Sequence, residues 1–563
     1  MRVGPGHRRM RTLPAGSGAG PGGRGLRSAR RDSGFLRAFN GSVVTVRWLV
    51  TAGIVSVLGM GSLAGTGPTP TPTPEPPPAQ PPPQLDGADV DRAVDRLDPS
   101  VAELMRKTGV PGVSVAVVYK DQVVHIKGYG VREVGKAGKV DADTVFQLAS
   151  VSKPVASTVV SGAVGVDGWQ KPVNPELPEF RLKDPWVTDH VTVADLFSHR
   201  SGLPDHAGDL LEDLGYDQEY ILSHLRYEPL APFRASYAYT NFGLTAAAES
   251  VAAEKGVPWA KLAEDTLYRP AGMNDTSSTF QDFVSNPDRA HGHVKEADGT
   301  WKAQFVRDPD AQSPAGGVSS SARDMATWLR LQLANGSLDG KRIVAEDALD
   351  LTHHPESVAN PAHAPAARTG FYGLGWNVSY DDEGRLRLSH TGAFALGAHT
   401  NVTMLPGEQL GIVVLTNGAP VGVADAVALD FFDTAQDGKP SRDWLPLVNA
   451  LYEQEAEAGR SATDFAKPPA DGTPAKANSV YTGTYGSDYY GRLTVAEENG
   501  GLVLRLGPEP QSYRLTHYDG DTFSFPTRGE NAVGPTGVTF SPDGKTVRVE
   551  YLDGEGLGTF TRD

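Results

Sequence analysis

An α+β fold is predicted for this chain: an antiparallel sheet flanked by helices, a helical region inserted between its strands, and a small all-β barrel domain after it. Three observations predict it. Apolar runs that read as strands occur early, at Val113 to Tyr119 and Gln122 to Gly128, and resume only after about Leu351. The stretch between them is mostly helical and loop-rich, so one sheet must be assembled from distant segments, leaving a cleft between the sheet and the helical part. From Val480 to Asp563 the pattern changes to short alternating runs separated by Gly, Asn and Asp turns, as in a separate barrel or sandwich.

At 563 residues the chain is too long for one ordinary core. Residues 1–47 are rich in Arg, Gly and Ser without hydrophobic periodicity, which predicts a basic, disordered leader. Residues 48–64 form a charge-free apolar run directly behind Arg47, the pattern of an export signal or a membrane anchor. Small residues at Ser62, Ala64 and Gly65 permit cleavage, so a cleaved signal and a retained single-pass anchor both stay open. Either way the chain is expected to be exported, secreted or held at the membrane. Residues 65–88 read as a Pro-rich linker, whose Pro68 to Gln84 part would span roughly 50 Å in polyproline geometry at ~3.1 Å per residue.

Residues 89–437 are predicted to be the main domain. It opens with an amphipathic helix, Val94 to Lys107, and a hairpin turning at Lys120-Asp121. Its later strands are expected at Gly373 to Tyr380, Arg385 to Ser389, Ala398 to Leu405 and Leu410 to Thr416, closed by a helix from Val421 to Phe432. Residues 438–478 read as a connector with one helix near Trp444 to Glu457, and residues 479–563 as the barrel.

A formal net charge of -16 argues against nucleic acid as a partner, because phosphate binding needs a basic face. The absence of cysteine excludes disulfides, thiolate metal sites and a cysteine nucleophile. His291-Gly292-His293 and His353-His354 lack helical i, i+4 spacing with a carboxylate partner, so neither a metal nor another cofactor is predicted. A small-molecule or peptide substrate is the expected partner, and self-association is left open.

The chemistry centres on Phe146-Gln147-Leu148-Ala149-Ser150-Val151-Ser152-Lys153-Pro154. In a helix beginning at Ser150, Ser150 and Lys153 lie about one turn apart on one face. A serine hydroxyl needs a neighbouring base to attack a carbonyl. Lys153 can be that base if burial and a second cation nearby lower its pKa. The small and apolar run Val155 to Val164 describes a buried helix, and a lysine at its start is not there for solubility. Tyr239-Thr240-Asn241 precedes an Ala-rich helix. A phenol whose pKa is lowered by cations can transfer protons, and Asn241 can orient a substrate amide. His390-Thr391-Gly392 is expected at the end of a strand, where the glycine admits a substrate backbone along the edge. The N–H of Ala393 would pair with that of Ser150 as an oxyanion hole.

In this order and spacing the pieces resemble the serine β-lactamase and penicillin-binding-protein superfamily, most closely its class C-like branch of esterases and D-amino-acid peptidases. The resemblance spans roughly residues 90–435 and includes Leu196 to Pro204, Pro270 to Met273, Pro314 to Val318 and Tyr372 to Trp376. It implies a β-lactamase/transpeptidase-like fold, Ser150 as the acylated nucleophile, Lys153 as its activating partner and Tyr239 as the proton-transfer assistant. It also implies substrate binding by Asn241 and by the strand His390, Thr391, Gly392 and Ala393. The implied reaction is hydrolysis of esters or D-amino-acid-containing amides through an acyl-enzyme; a β-lactamase proper and a non-catalytic penicillin-binding or scaffold protein are the alternatives. Two departures bear on this. His390 replaces the lysine of the K-T-G strand, removing a fixed charge that favours a substrate carboxylate while leaving a side chain that titrates near neutrality. The segment before Tyr239 lacks the usual Pro-Gly pair, which leaves Tyr237 as a competing candidate. The C-terminal module, through Tyr481 to Tyr485 and Gly558 to Thr561, resembles the small barrel appended to such hydrolases, implying substrate gating or assembly.

Overall fold

A computed structural model describes residues 83–563. The basic leader, the apolar run 48–64 and nearly all of the Pro-rich linker lie outside the described residues. Among the described residues, no helix is long and apolar enough to cross a membrane.

The folded domain begins earlier than the sequence pattern indicates. Helix α1 spans Gly87–Thr108, opened by a capping box in which Asp86 and Asp89 exchange side-chain-to-backbone bonds. Ahead of it, the N–H groups of Gln84 and Leu85 donate to the buried carboxylate of Glu408, which also pairs with buried Arg385 at 3.1 Å. The linker therefore ends before residue 84 instead of at 88, because its last residues are tied into the core.

Strands β1 (Gly112–Tyr119) and β2 (Gln122–Gly130) form the predicted hairpin. Next along the chain come α2 (Ser152–Gly168), α3 (Asp209–Asp213), α4 (Asn241–Lys255) and α5 (Ala322–Leu333). Six further strands follow: β3 (Ser357–Asn360), β4 (Gly370–Tyr372), β5 (Asn377–Tyr380), β6 (Leu386–Phe394), β7 (Ala398–Leu405) and β8 (Leu410–Thr416). They join the hairpin in one sheet of order β2-β1-β8-β7-β6-β5-β4-β3. The sheet thus unites both ends of the domain, with Val113 opposite Thr416 and Tyr119 opposite Leu410. Both central strands are buried on both faces and divide their side chains by period two. Val113, Val115, Val117, Ile412 and Val414 meet α1 and α6 (Val423–Asp437), whereas Ala116, Val118, Val413 and Leu415 face α2, α5 and the helical region.

Two strand predictions need correction. Gly373 to Tyr380 is not one strand: Gly373 to Trp376 turn between β4 and β5, with the Gly373 N–H on the Trp376 carbonyl. Gly375 takes φ +86° there and lies against the Lys153 backbone, where a Cβ would come within 2.9 Å of the Lys153 carbonyl. The strand expected to stop at Ser389 continues through His390 to Phe394, paired with β7 throughout.

The connector is more than a spacer. Its helix α7 (Trp444–Ala458) returns to the main domain, placing the Tyr452 hydroxyl on Asp425 and the Trp444 indole N–H on Asp433. Beyond it lies the barrel: β9 (Gly483–Ser487), β10 (Gly491–Glu498), β11 (Gly501–Leu506), β12 (Gln511–Arg514), β13 (Thr516–Asp519), β14 (Thr522–Pro526), β15 (Pro535–Phe540), β16 (Thr546–Val549) and β17 (Thr559–Arg562). The order β12-β11-β10-β9-β17-β16-β15-β14-β13 places the two end strands on either side of Leu515, so the sheet is nearly closed.

Glu408 joins the start of the domain to a buried arginine, so Glu408→Ala should strand the Gln84 and Leu85 N–H groups and leave Arg385 with Asp381 as its remaining carboxylate partner. The expected loss is about 1–3 kcal/mol in urea unfolding of the main domain, whereas truncating Glu103 at the surface should leave the transition where it is.

Candidate active site

The turn that carries Ser150 is shaped by the strand that precedes it. Val145–Gln147 pairs with Ser319–Ser321, the Leu148 N–H donates to Val318 O, and the Val318 N–H donates to the Ser152 hydroxyl. Held at both ends, the chain turns sharply at Ala149, whose φ of +48° is uncommon for a residue with a Cβ. Ser150 occupies the single 3₁₀ turn Ala149–Val151, and α2 itself begins at Ser152. Ser150 and Lys153 still fall about one turn apart, as the spacing predicts.

Lys153 is completely buried. Its Nζ lies 3.0 Å from Ser150 Oγ, 2.7 Å from Asn241 Oδ1 and 3.0 Å from the Ala315 carbonyl. The last two atoms only accept hydrogen bonds, so they take two amine hydrogens. When the amine is neutral, its lone pair is left for the Ser150 proton. Burial pushes Lys153 down to about 7, with Asp209 pulling the other way. No second cation is among the causes, so desolvation does what the sequence reading divided between burial and a neighbouring charge.

Asn241, the first residue of α4, is spoken for at both ends of its amide. Its nitrogen donates to Asp209 Oδ2 at 2.9 Å, which turns the oxygen toward Lys153. Asp209 in turn accepts from His206, whose half-exposed imidazole that bond raises to about 9. Asn241 therefore holds the lysine before any contact with a substrate amide. Asp209, His206 and the Ala315 carbonyl were missed. Ala315 lies in a stretch that carries the resemblance, but no sequence signal pairs Asp209 with a residue so far along the chain.

Of the two tyrosine candidates, Tyr239 lies at the amine: Lys153 Nζ sits 4.5 Å from its ring centre. Burial raises its phenol well above the usual value, and the Ser150 hydroxyl is the chief opposing influence. The expectation of a phenol acidified by cations is thus reversed, and Tyr239 keeps its proton at neutral pH. Tyr237 joins an aromatic group with His199 and Tyr372.

The strand residues divide by the pleat. His390 faces the site and is buried. Its Nδ1–H donates to Thr391 O, and its Nε2 accepts the Tyr372 hydroxyl at 2.8 Å. Burial, reinforced by Lys153, lowers its pKa to about 3, so the expected titration near neutrality is corrected: His390 is neutral. Tyr372, fully buried on β4, was not singled out as its partner. Thr391 points to the opposite face, where its hydroxyl bonds Asp425 of α6 at 2.7 Å, so only its backbone can serve the cleft. Gly392 lies directly on the nucleophile turn: a Cβ there would sit 2.2 Å from Leu148 O and 2.9 Å from Ser150 N. Ala393 comes next on β6, and β5 pairs with β6 only as far as Ser389. Beyond Ser389 this edge carries no β5 partner, and a substrate can lie along it.

The histidines set aside as metal ligands make contacts of their own. His293 bridges Val134 N and Asn417 O, His353 bonds Gln332, and His354 pairs with Asp350.

Fold and site together define a serine-hydrolase-like centre in which a strand edge, a buried amine and a phenol meet at one hydroxyl. Residues 97–431, more than half of the chain, match the β-lactamase family, and the chain belongs to that family. Residues 467–555 match a domain of unknown function, DUF3471. The chain is 26% identical over 82% of its length to unguisins hydrolase ungD' of Aspergillus campestris, covering 91% of that protein. It is 22% identical over 58% of its length to the D-alanyl-D-alanine-carboxypeptidase/endopeptidase AmpH of Escherichia coli, covering 85% of that protein. The octameric penicillin-binding protein homologue from Pyrococcus abyssi shares the fold at a TM-score of 0.54 and 18% identity, over 83% of this chain and all of that one.

Gly392→Ala tests the packing of β6 on the nucleophile turn. Forcing a Cβ into that contact should displace the turn and lower turnover by about 100-fold, the scale of a 1 Å misplacement, while circular dichroism stays unchanged.

Proposed function

We propose that this protein is an exported serine hydrolase that cleaves esters or D-amino-acid-containing amides through an acyl-enzyme on Ser150, preferring substrates without a carboxylate beside the scissile bond. The observation that carries the reading is the buried Lys153 amine, 3.0 Å from Ser150 Oγ with its other hydrogens committed to acceptors.

The steps follow from that geometry. The Ser150 O–H bond breaks as its proton passes to neutral Lys153, and Oγ bonds to the substrate carbonyl carbon. The carbonyl electron pair moves to oxygen, which is received by the N–H groups of Ser150 and Ala393. Collapse of the tetrahedral intermediate expels the alkoxide or amine, which takes its proton from Lys153 relayed through the Tyr239 hydroxyl. Water then attacks the acyl-enzyme, gives its proton to the same pair, and releases the acid and Ser150. The relatives named unguisins hydrolase and carboxypeptidase/endopeptidase support hydrolysis as the reaction class.

The preference for uncharged substrates rests on His390. Its N–H and its lone pair are both used within the protein, and protonation is opposed by burial and by Lys153. It offers a substrate carboxylate neither a charge nor a free donor, which disfavours the β-lactamase reading. The signal-like or anchor-like run behind the basic leader supports export.

Because the neutral amine is the active form, kcat/KM should rise about tenfold per pH unit below about 7 and level off above it; a profile flat from pH 5 to 8 would count against Lys153 as base. A fluorophosphonate probe should add its mass to Ser150 and not to the Ser150→Ala protein, and Lys153→Ala should lower turnover by about 10²–10⁴-fold. Absence of any adduct would leave the scaffold alternative standing. Between paired esters differing only by a free carboxylate, the neutral one should be favoured at least about tenfold in kcat/KM.

A further inference from the structure

The barrel reaches the catalytic centre at two points. The first is the turn after β6. Glu530, in the loop between β14 and β15, accepts the N–H groups of Ala395 and Leu396 at 2.5 and 3.2 Å. These are the residues immediately beyond the strand that carries Gly392 and Ala393. Phe394, the last residue of β6, is buried against Ala149, so this turn is packed on the nucleophile segment itself.

The second point is α3. Asp213 accepts the N–H groups of Glu530 and Asn531 at 3.1 and 2.8 Å, together with the Asn531 side-chain amide at 3.1 Å. One helical turn earlier on α3, Asp209 holds Asn241, which holds Lys153. A single barrel loop therefore touches the mounting of both halves of the site, the strand edge and the amine.

The contact is closely built. Gly529 approaches Asp213 so tightly that a Cβ would lie 2.9 Å from its carboxyl carbon. Arg307 is buried between the domains with its guanidinium on Glu212 at 2.5 Å, within 4.0 Å of Glu530 and 5.3 Å from the centre of the Phe394 ring. Gln312 also donates to Glu212. Burial pushes both Glu212 and Glu530 up to about 7 against the pull of Arg307. Carboxylates this dehydrated are retained here with specific partners, whereas a loop that only filled space would carry apolar residues.

We propose that the barrel loop Thr527–Gly534 is part of the frame of the catalytic centre, with Glu530 as a positioning residue that fixes the β6–β7 turn and through it the Ala393 N–H. The proposal rests on the reading of Ser150 and Ala393 given above. Glu530 touches no reacting atom. It acts by holding two N–H groups whose movement would carry the oxyanion donor out of place, and a misplaced donor costs rate without costing substrate affinity.

The experiment uses the full chain with p-nitrophenyl acetate as a neutral ester, comparing Glu530→Ala and Glu530→Gln with the unmodified protein. Glu530→Ala should lower kcat about tenfold with KM within twofold, leave the melting temperature within a few degrees, and speed amide hydrogen exchange at Ala395 and Leu396. Glu530→Gln keeps one acceptor and should lose only about threefold in kcat, with faster exchange at one of the two amides. Unchanged kcat and exchange in Glu530→Ala would overturn the proposal. If that variant does not fold, unchanged kcat and exchange in Glu530→Gln would do so. A chain that turns over ester and labels at Ser150 yet ignores both substitutions defeats the positioning role alone. Failure of the unmodified chain to label defeats the hydrolase reading beneath it.

Discussion

Everything at this site depends on keeping one primary amine dry. A lysine amine in water holds its proton at neutral pH and cannot take another from serine. Removing it from solvent penalises the charged form, which brings Lys153 to about 7. The same burial obliges the protein to satisfy the amine with acceptors, and it does so with the Ala315 carbonyl and an asparagine oxygen. The asparagine must point the right way, so Asp209 holds its nitrogen; Asp209 is itself neutralised by His206. A chain of polar requirements runs outward from the amine, each step set by the one before.

The opposite wall follows a different logic. The strand lining the cleft carries a histidine whose two nitrogens are occupied by the Tyr372 hydroxyl and the Thr391 carbonyl. Such a ring is a neutral spacer, because charging it would break the bond it accepts and bury a second cation near Lys153. The neutrality of this wall is set by two side chains, Tyr372 on β4 and His390 on β6.

The two modules are also less separate than the linear organisation indicates. The connector helix packs back through Tyr452 and Trp444, and the barrel sends Glu530 and Asn531 to the turn after β6 and to α3. Buried carboxylates at a domain boundary are expensive, and their presence beside Arg307 makes docking specific in position.

The sequence by itself determined the α+β class, the hairpin and the strands at Ala398 to Leu405 and Leu410 to Thr416, and it singled out Ser150, Lys153 and Tyr239 as candidates that the fold brings together. Each has a local signature: strand periodicity, a turn, or a motif whose spacing equals a helical turn. It read Gly392 as room for a substrate backbone along the strand edge, whereas that room is taken by the turn at Ser150. The tertiary structure alone decided that Asp209 orients Asn241, that Tyr372 silences His390, that Thr391 looks away from the cleft, and that the barrel loop meets the β6–β7 turn. These are contacts between residues far apart in the chain, and burial, which sets the protonation of Lys153, Tyr239 and His390, belongs to the assembled neighbourhood and not to any residue's own stretch of sequence.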